Sequence, residues 1–369
     1  SRDDSPARTA SNDFGGATYG PEFTFTNDRL ADPKLYGKSG MRPNSKRNEA
    51  ARDRMKQVME KRCRMRGDCR VREGRDRDGL KNYKVVYRDG WWFQIGLDPG
   101  VVEVQTRPST LREFERLRQR LQNDVFGLAE EAGLKPDPDL GQGHIHIGLR
   151  SAFGENARLF RDFIVDFNNH AELWGGVLGQ TQSVIDNAAP LDYLPESQWR
   201  NYYRVIRDFD RGKIRTIRQL AQAIQRRVYN AALHPRARPP SKFQALNLRR
   251  AARKIVEPNF PTGEATLEIR SLPAQPDASA FLKLTRLFEA RLDYLSKHPR
   301  VPVFVLGGPS LDDPDSDLAV EQARLFYHYV AESGLKWRQY RPLLKSALRI
   351  IRPYRYRRGP KPRRTLANP

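Results

Sequence analysis

The sequence predicts an α+β protein, in which helices cover one side of a mixed or antiparallel sheet. Strand-like segments that alternate polar and apolar residues recur along the chain. Between them lie longer segments with apolar residues at helical spacing, for example residues 155–173 and 277–295. This alternation is typical of a sheet that packs its apolar face against helices.

The most informative strand is Gly143-His144-Ile145-His146-Ile147-Gly148. Side chains alternate between the two faces of an extended chain, so His144 and His146 share one face and the isoleucines share the other. Two imidazoles on one face suit a metal or phosphate site. A packed or solvent-facing strand explains an isolated His-x-His motif equally well.

Three further segments repeat this design and strengthen the prediction of a site. Their polar faces carry Glu22, Thr24 and Thr26; Glu103, Gln105 and Arg107; and Glu268 and Arg270. If the four strands are neighbours, three carboxylates converge beside two histidines. Crowded carboxylates repel one another unless cations or protons intervene. The pattern therefore predicts a divalent-metal site on the sheet.

Other elements follow from local signals. An Asp89-Gly90 turn predicts a hairpin of residues 83–87 and 91–95. Thr110 and Glu113 form a capping-box pattern that opens a helix running to about residue 132. Further helices are predicted at 214–233 and 316–333, with a strand at 301–306.

Composition divides the chain into segments. Residues 44–78 carry thirteen Lys or Arg against seven Asp or Glu, and residues 335–369 carry twelve Lys or Arg and no acid. The predicted organisation is a flexible arm at 1–18, a main domain at 19–300 with a basic helical insertion at 44–80, a strand and helix at 301–334, and a basic tail at 335–369. The insertion is interpreted either as a solvated helix or as an arm that contacts polyanions.

The charge balance favours anionic partners. With 66 basic and 44 acidic residues the 369-residue chain has a formal charge of +22, which attracts nucleotides, nucleic acid or acidic polymers. Trp337, Tyr340, Tyr354 and Tyr356 are interleaved with the tail's cations, a pattern that fits backbone contact with base stacking. The tail therefore fits nucleic acid or an acidic partner, and a solvated or protein-docked tail explains it equally well.

Several features favour a cytoplasmic protein. Cys63 and Cys69 lack a second cysteine pair or nearby histidines, so they are interpreted as ordinary thiols in a reducing compartment. The longest apolar run, at 301–306, is far too short for a membrane span, which predicts no membrane partner. The first residues lack the apolar region of a signal peptide.

Two other nucleotide or phosphate chemistries are disfavoured. A two-histidine phosphoesterase needs a second His-x-Thr or His-x-Ser motif, and the remaining four histidines supply none. A Rossmann or P-loop site needs a glycine-rich phosphate loop, which the sequence lacks.

Five motifs, taken in order, resemble the amidoligase family, which belongs to the glutamine synthetase and glutamate–cysteine ligase superfamily of carboxylate–amine ligases. They are Gly20-Pro21-Glu22, Asp98-Pro99-Gly100-Val101-Val102-Glu103-Val104, Gly143-His144-Ile145-His146, Lys242-Phe243-Gln244-Ala245-Leu246-Asn247 and Thr266-Leu267-Glu268-Ile269-Arg270. The resemblance covers roughly residues 19–297.

The resemblance implies a curved, mainly antiparallel sheet whose concave face holds ATP and Mg²⁺, with Mn²⁺ as the other metal that fits. It implies that Glu22, His144 and Glu268 ligate one metal and that Glu103 ligates a second one near the carboxylate substrate. By the same resemblance His146 approaches the nucleotide phosphates, and Arg270 steadies the transferred phosphoryl group. The implied reaction joins a carboxylate and an amine through an acyl phosphate, on a peptide, protein or cell-wall-like substrate.

One position departs from the family pattern. Family members usually carry Glu-x-Glu on the first strand, and here the second position is Thr24. A metal site thus loses one carboxylate. The alternative is a catalytically degenerate amidoligase-like protein, which acts as a basic structural or nucleic-acid-binding component of a larger assembly. A homo-oligomer is compatible with either function.

Overall fold

The computed structural model describes residues 16–30, 46–76, 79–98, 100–181, 184, 188–191, 194–229, 244–255, 263–305, 317–352 and 365–366. The predicted arm at 1–18 lies outside these residues except for its last three positions, of which Thr18 already belongs to a strand. Most of the tail beyond residue 352, with Tyr354 and Tyr356, also lies outside them.

The protein is α+β and is built on a nine-stranded antiparallel sheet. Along the sheet the strands follow the order β2-β3-β4-β5-β1-β7-β9-β8, and β6 pairs with β1. The strands are β1 (Thr18–Phe25), β2 (Cys69–Arg75), β3 (Lys81–Tyr87), β4 (Trp92–Asp98), β5 (Val101–Thr106), β6 (Ser109–Thr110), β7 (His144–Gly148), β8 (Leu246–Asn247) and β9 (Thr266–Ile269). A separate two-stranded sheet joins β10 (Phe304–Val305) to β11 (Thr365–Leu366).

Helices lie between most of the strands, as the sequence pattern predicts. They are α1 (Lys46–Arg66), α2 (Leu111–Arg116), α3 (Arg118–Leu121), α4 (Gly127–Glu131), α5 (Leu149–Phe153), α6 (Ala157–Asn169), α7 (Glu196–Asp210), α8 (Ile217–Arg227), α9 (Arg249–Arg253), α10 (Ala278–Lys297), α11 (Asp317–Glu332) and α12 (Trp337–Tyr340). The capping box of Thr110 and Glu113 is present, and Asp277 caps α10. The helix predicted to run to about residue 132 is confirmed in its extent, since helical segments follow one another from Leu111 to Glu131, interrupted by a turn at Leu117 and a π-helical turn at Gln122–Phe126.

The apolar face of the sheet packs against helices. Phe23 of β1 lies 5.0 Å from Phe126 and 5.2 Å from Phe281 of α10, measured between ring centroids, with edge-to-face geometry. Helix α1 packs on the same side of β4 and β5 and buries Met55 and Met59 completely. Helix α1 of the basic insertion is therefore packed along one face, while its other residues are exposed or half-buried. The insertion also contributes β2, an edge strand that the sequence analysis does not predict.

The two cysteines form a disulfide, so the prediction of free thiols is wrong. Cys63 lies in the last turn of α1 and Cys69 begins β2, with their Cα atoms 5.0 Å apart. The chain reverses between them at Gly67, whose φ of 68° suits glycine. Disulfides are typical of oxidising compartments. The cytoplasmic location stays a prediction, but free thiols no longer support it.

The polar face of the sheet differs between its two ends. Burial alternates along β4, along β3 from Tyr83 onward and along β5 from Val102 onward, so one face of these strands is partly exposed. In β7 and β9 every residue is buried, so both faces are covered. The short helix α9 contributes to the cover, since Arg250 reaches His146 on the polar face. The prediction that helices occupy one face only is therefore wrong at this end of the sheet.

The C-terminal segment that the structure describes is packed on the protein. Tyr340 is buried, and the ring of Trp337 lies 4.8 Å from that of Tyr327 in α11. Tyr340 is therefore not available as a platform for a base, and Trp337 is half-buried against Tyr327. Among the helices described, none is both long enough and apolar enough to span a membrane.

Candidate metal and phosphate site

The four strands that carry the predicted site residues are consecutive neighbours in the sheet, in the order β5-β1-β7-β9. Their registers place Glu22 opposite Gln105 on one side and His144 on the other, and His146 opposite Glu268. Side chains at paired positions leave the same face. Residues from distant parts of the chain are thus brought together on one wall.

Two glycines allow this wall to form, because they bracket the central strand β7. A Cβ atom at Gly143 would lie 1.9 Å from the side-chain nitrogen of Gln275, and one at Gly148 would lie 2.1 Å from a carboxylate oxygen of Glu264. A side chain at either position would have to displace Gln275 or Glu264, which are both buried. The Gly-His-Ile-His-Ile-Gly motif therefore has a steric reason at both ends.

Glu22 is the centre of the cluster. Its Oε2 lies 2.9 Å from Nδ1 of His144, and its Oε1 lies 3.1 Å from Nε2 of His146. Glu268 approaches the same imidazoles, with its Oε1 3.3 Å from His144 Nδ1 and 3.9 Å from His146 Nε2. One ligand atom each from Glu22, His146 and Glu268 lies within 4.8 Å of the other two.

This donor set fits a divalent metal ion. Two carboxylates with one imidazole suit Mg²⁺ through the hard oxygens and Mn²⁺ through both donor types. The three donors that are closest together include His146 rather than His144. The resemblance implied His144 as the ligand and gave His146 to the phosphates, so the two histidines are both candidates for either role.

Two arginines adjoin the cluster. Arg270, directly after β9, donates to Glu268 Oε1 at 2.7 Å, which holds its guanidinium at the edge of the site. Arg250 of α9 lies 2.9 Å from Nδ1 and 3.1 Å from Nε2 of His146. Its guanidinium also lies 3.8 Å from Glu268 Oε2, which accepts from Asn247 at 2.7 Å. Fixed cations beside carboxylates are the groups that bind phosphate.

The charges of the cluster shift the pKa values of its two central acids downward. Burial alone raises the pKa of Glu268, but Arg270, His146 and His144 outweigh it and hold that pKa at about 2. Burial likewise opposes ionisation of Glu22, and the neighbouring His146 and His144 hold its pKa well below the ordinary value. Both groups are therefore ionised, as metal ligands must be.

Glu103 has the opposite behaviour. Burial, followed by the negative charges of Glu22, Asp98 and Glu268, raises its pKa well above the ordinary value. Gln105 bridges it to Glu22, donating to Glu103 Oε1 at 2.8 Å and to Glu22 Oε1 at 3.2 Å. An excess of negative charge at this point would be relieved by a cation, consistent with the second metal position that the resemblance implied.

Thr24, the position that departs from the family pattern, is buried opposite Glu103. Its hydroxyl donates to the backbone oxygen of Gln142 at 3.0 Å. The residue thus anchors the segment that precedes β7 and offers no carboxylate to the site.

Sequence reasoning placed Glu22, Glu103, His144, His146, Glu268 and Arg270 correctly on one wall but missed four of their neighbours. Asp98 and Asn247 lie inside the quoted motifs and were assigned no role. Gln142, which hydrogen-bonds Nε2 of His144, and Arg250 carry no signal in the sequence, because their contacts depend on how loops and α9 fold over the sheet.

No protein-family model, no curated protein and no solved structure matches this chain. The candidate function therefore depends on the residues and on their geometry.

Proposed function

We propose that this protein is an ATP-dependent ligase that joins a carboxylate to an amine, on the glutamine synthetase-like fold that the motifs resemble. The observation that carries the proposal is the convergence of Glu22, His146 and Glu268 with Arg270 on one wall of the sheet. Ionised acids can hold metal ions, and fixed cations can neutralise phosphate charge. Phosphoryl transfer needs both, because positioning and neutralisation of charge supply most of its catalysis.

In this proposal Glu22, Glu268 and a histidine hold Mg²⁺ or Mn²⁺, and Glu103 holds a second ion. A bound ion would supply neutralisation of phosphate charge. The protein's own contribution is orientation: Glu268 fixes the guanidinium of Arg270, and Arg250 adds a second cation beside His146. In this proposal the two arginines would neutralise the negative charge that accumulates on a transferred phosphoryl group.

The proposed reaction has two steps. A carboxylate oxygen of the substrate attacks the γ-phosphorus of ATP, and ADP leaves. The nitrogen of the amine then attacks the carbonyl carbon of the acyl phosphate, inorganic phosphate leaves, and the amine loses one proton.

Turnover is tested with ATP, Mg²⁺, hydroxylamine and a panel of acids that includes short acidic peptides. The expected result is formation of ADP and hydroxamate in equal amounts. Glu268→Gln should lower the rate about 100- to 1000-fold, the usual effect of removing one electrostatic group at such a site. Glu130→Gln, an exposed acid on α4, is the matched control and should leave the rate unchanged.

Metal binding is tested separately, by titrating Mn²⁺ and following its electron paramagnetic resonance signal. Glu22→Gln and Glu268→Gln should each weaken binding at least tenfold, with no change for Glu130→Gln. Equal Mn²⁺ affinity in all variants would remove the metal site. Absence of ADP and hydroxamate with every acid, while Mn²⁺ binding follows the prediction, would remove the ligase and keep the metal site.

A second function is favoured by two observations: Thr24 offers no carboxylate to the site, and Glu268 is already neutralised by Arg270. In this alternative the protein has lost activity and serves as a basic structural or nucleic-acid-binding component. Its affinity for a short DNA duplex should fall steeply with salt and fall again when residues 353–369 are deleted. A shallow salt dependence, or no effect of the deletion, would contradict it.

A further inference from the structure

A continuous row of polar side chains crosses six strands of the sheet. The registers align, in order, Arg72 of β2, Lys84 of β3, Gln94 of β4, Gln105 of β5, Glu22 of β1 and His144 of β7. All of them leave the same face, since each pair is directly opposed. The row thus changes from cations through amides to the carboxylates and imidazoles of the candidate site.

The cationic end of this row places like charges next to one another. Arg72 and Lys84 are directly opposed on neighbouring strands, a placement in which like charges destabilise a sheet. Arg70, two residues from Arg72, leaves the same face. Within the described residues no acidic side chain forms an ion pair with these three cations. A cluster of like charges without counter-charge attracts anions.

The side-chain contacts at this end favour a peptide over a nucleic acid as the anion. Lys84 Nζ lies 3.7 Å from the centroid of the Trp92 ring, so the lysine already covers one face of an indole that could otherwise stack a base.

An acidic peptide matches the row better. Its carboxylates would meet Arg70, Arg72 and Lys84, and its backbone amides would lie over Gln94 and Gln105. Gln94 makes no side-chain hydrogen bond within the described residues, so its amide is available to a peptide group. Adjacent strands are about 4.8 Å apart, so the row from Arg72 to Glu22 spans about 19 Å, the length of five or six extended residues.

We infer that the open polar face of β2, β3, β4 and β5 is the binding surface for an acidic peptide. The further identification of this peptide as the carboxylate substrate rests on the proposed function. In that case the cations hold the acidic segment, and the reacting carboxylate lies at the Glu22 and Glu103 end of the row.

The probe is fluorescein-labelled hexaglutamate, whose binding to the full chain is followed by fluorescence anisotropy. The double variant Arg72→Gln/Lys84→Gln should bind at least tenfold more weakly than the unaltered protein. The matched control is Lys61→Gln/Arg218→Gln, which removes the same charge from exposed positions on α1 and α8. It should change the affinity less than twofold. Urea unfolding of both variants checks that the fold is retained.

Equal weakening in the two double variants would overturn the inference, since the net charge alone would then explain binding. The second probe is a labelled six-nucleotide oligothymidylate. If it binds more tightly than the peptide and loses more affinity in Arg72→Gln/Lys84→Gln than in the control, the surface binds nucleic acid and the inference is wrong.

The two proposals fail in different ways. Hexaglutamate binding that is retained in Glu268→Gln, without hydroxamate formation in the unaltered protein, would keep the surface and remove the ligase. Hydroxamate formation on acidic peptides with the same KM in Arg72→Gln/Lys84→Gln would keep the ligase and remove the surface.

Discussion

The two ends of one sheet are built differently, although their strands alternate polar and apolar residues in the same way. At β3, β4 and β5 the polar face is open, with Lys84, Gln94 and Gln105 partly exposed. At β7 and β9 the polar face is covered, and His146 and Glu268 are each only 5% exposed. The same pattern therefore yields a solvent-facing surface at one end and a buried charged cluster at the other.

This difference in cover indicates that the open half of the sheet suits ligand binding and the covered half suits a buried charged site. A charge in the covered half loses water and must be satisfied by neighbours, which makes its interactions strong and its pKa shifts large. A charge in the open half keeps most of its water and can exchange it for a ligand. We therefore expect substitutions in the covered half to change stability much more than substitutions in the open half.

The largest effect is expected from removing an apolar side chain behind the covered site. Ile147 is completely buried in β7, whereas Val86 is partly exposed on the open face of β3. Ile147→Ala should lower the free energy of unfolding by about 4 kcal/mol, because it leaves a cavity in the core. Val86→Ala should cost about 1 kcal/mol or less. Urea unfolding measures both, and equal losses would contradict the comparison.

The next effect concerns a buried carboxylate in the covered half. Glu264 accepts hydrogen bonds from the hydroxyls of Thr18 and Ser151, at 2.9 and 3.0 Å, and from two backbone amides at the start of α5. Glu264→Ala leaves the two backbone amides without their acceptor, while the hydroxyls keep their contacts with one another and with the backbone oxygen of Gly148. The substitution should cost about 2–3 kcal/mol. Gln94→Ala, on the open face, is the control and should stay within about 0.5 kcal/mol. A loss as small as the control's would show that water replaces the carboxylate.

A smaller effect of opposite sign is expected at the cationic end. Arg72→Gln removes the like charge opposite Lys84 and should leave the free energy of unfolding unchanged or raise it by up to about 0.5 kcal/mol. Arg70→Gln is the matched control, since Arg70 lies on the same strand as Arg72 but is opposed by the uncharged Val86 of β3. If Arg72→Gln were clearly more destabilising than Arg70→Gln, Arg72 would have a structural role in place of a binding one.

The smallest effect is electrostatic. Burial, followed by the charge of Arg72, lowers the pKa of Lys84 below its ordinary value of 10.5. A lysine with a lowered pKa binds its proton less tightly in the folded state than in the unfolded state. The fold therefore gains stability as pH rises through the lowered pKa toward the ordinary value.

Arg72→Gln should raise the pKa of Lys84 and narrow that pH window, while Arg70→Gln should raise it less. Nuclear magnetic resonance of the lysine side chain, titrated in both variants, measures the shift directly. An identical pKa in the two variants would mean that the opposed pair is not coupled.

The strands that carry the candidate site, and the faces of their side chains, could be predicted from the sequence, because alternation along an extended chain is a local property; the edge strand β2 was not predicted. It predicted that Glu22, Glu103, His144, His146, Glu268 and Arg270 share a polar wall, and the registers of β5, β1, β7 and β9 agree with this prediction. The capping box at Thr110 and the hairpin turn at Gly90 are likewise local signals that the structure retains.

The parts of the wall that are covered could not be predicted from the sequence, because the covering segments are far away along the chain. Arg250 of α9 reaches His146. In the basic insertion, α1 packs behind the sheet, and the segment after it forms β2, which carries Arg70 and Arg72. Charge composition indicates a solvated insertion, yet one face of α1, which includes Met55, Met59 and Cys63, is buried. The pairing of Cys63 with Cys69 also required the turn that brings α1 back to β2.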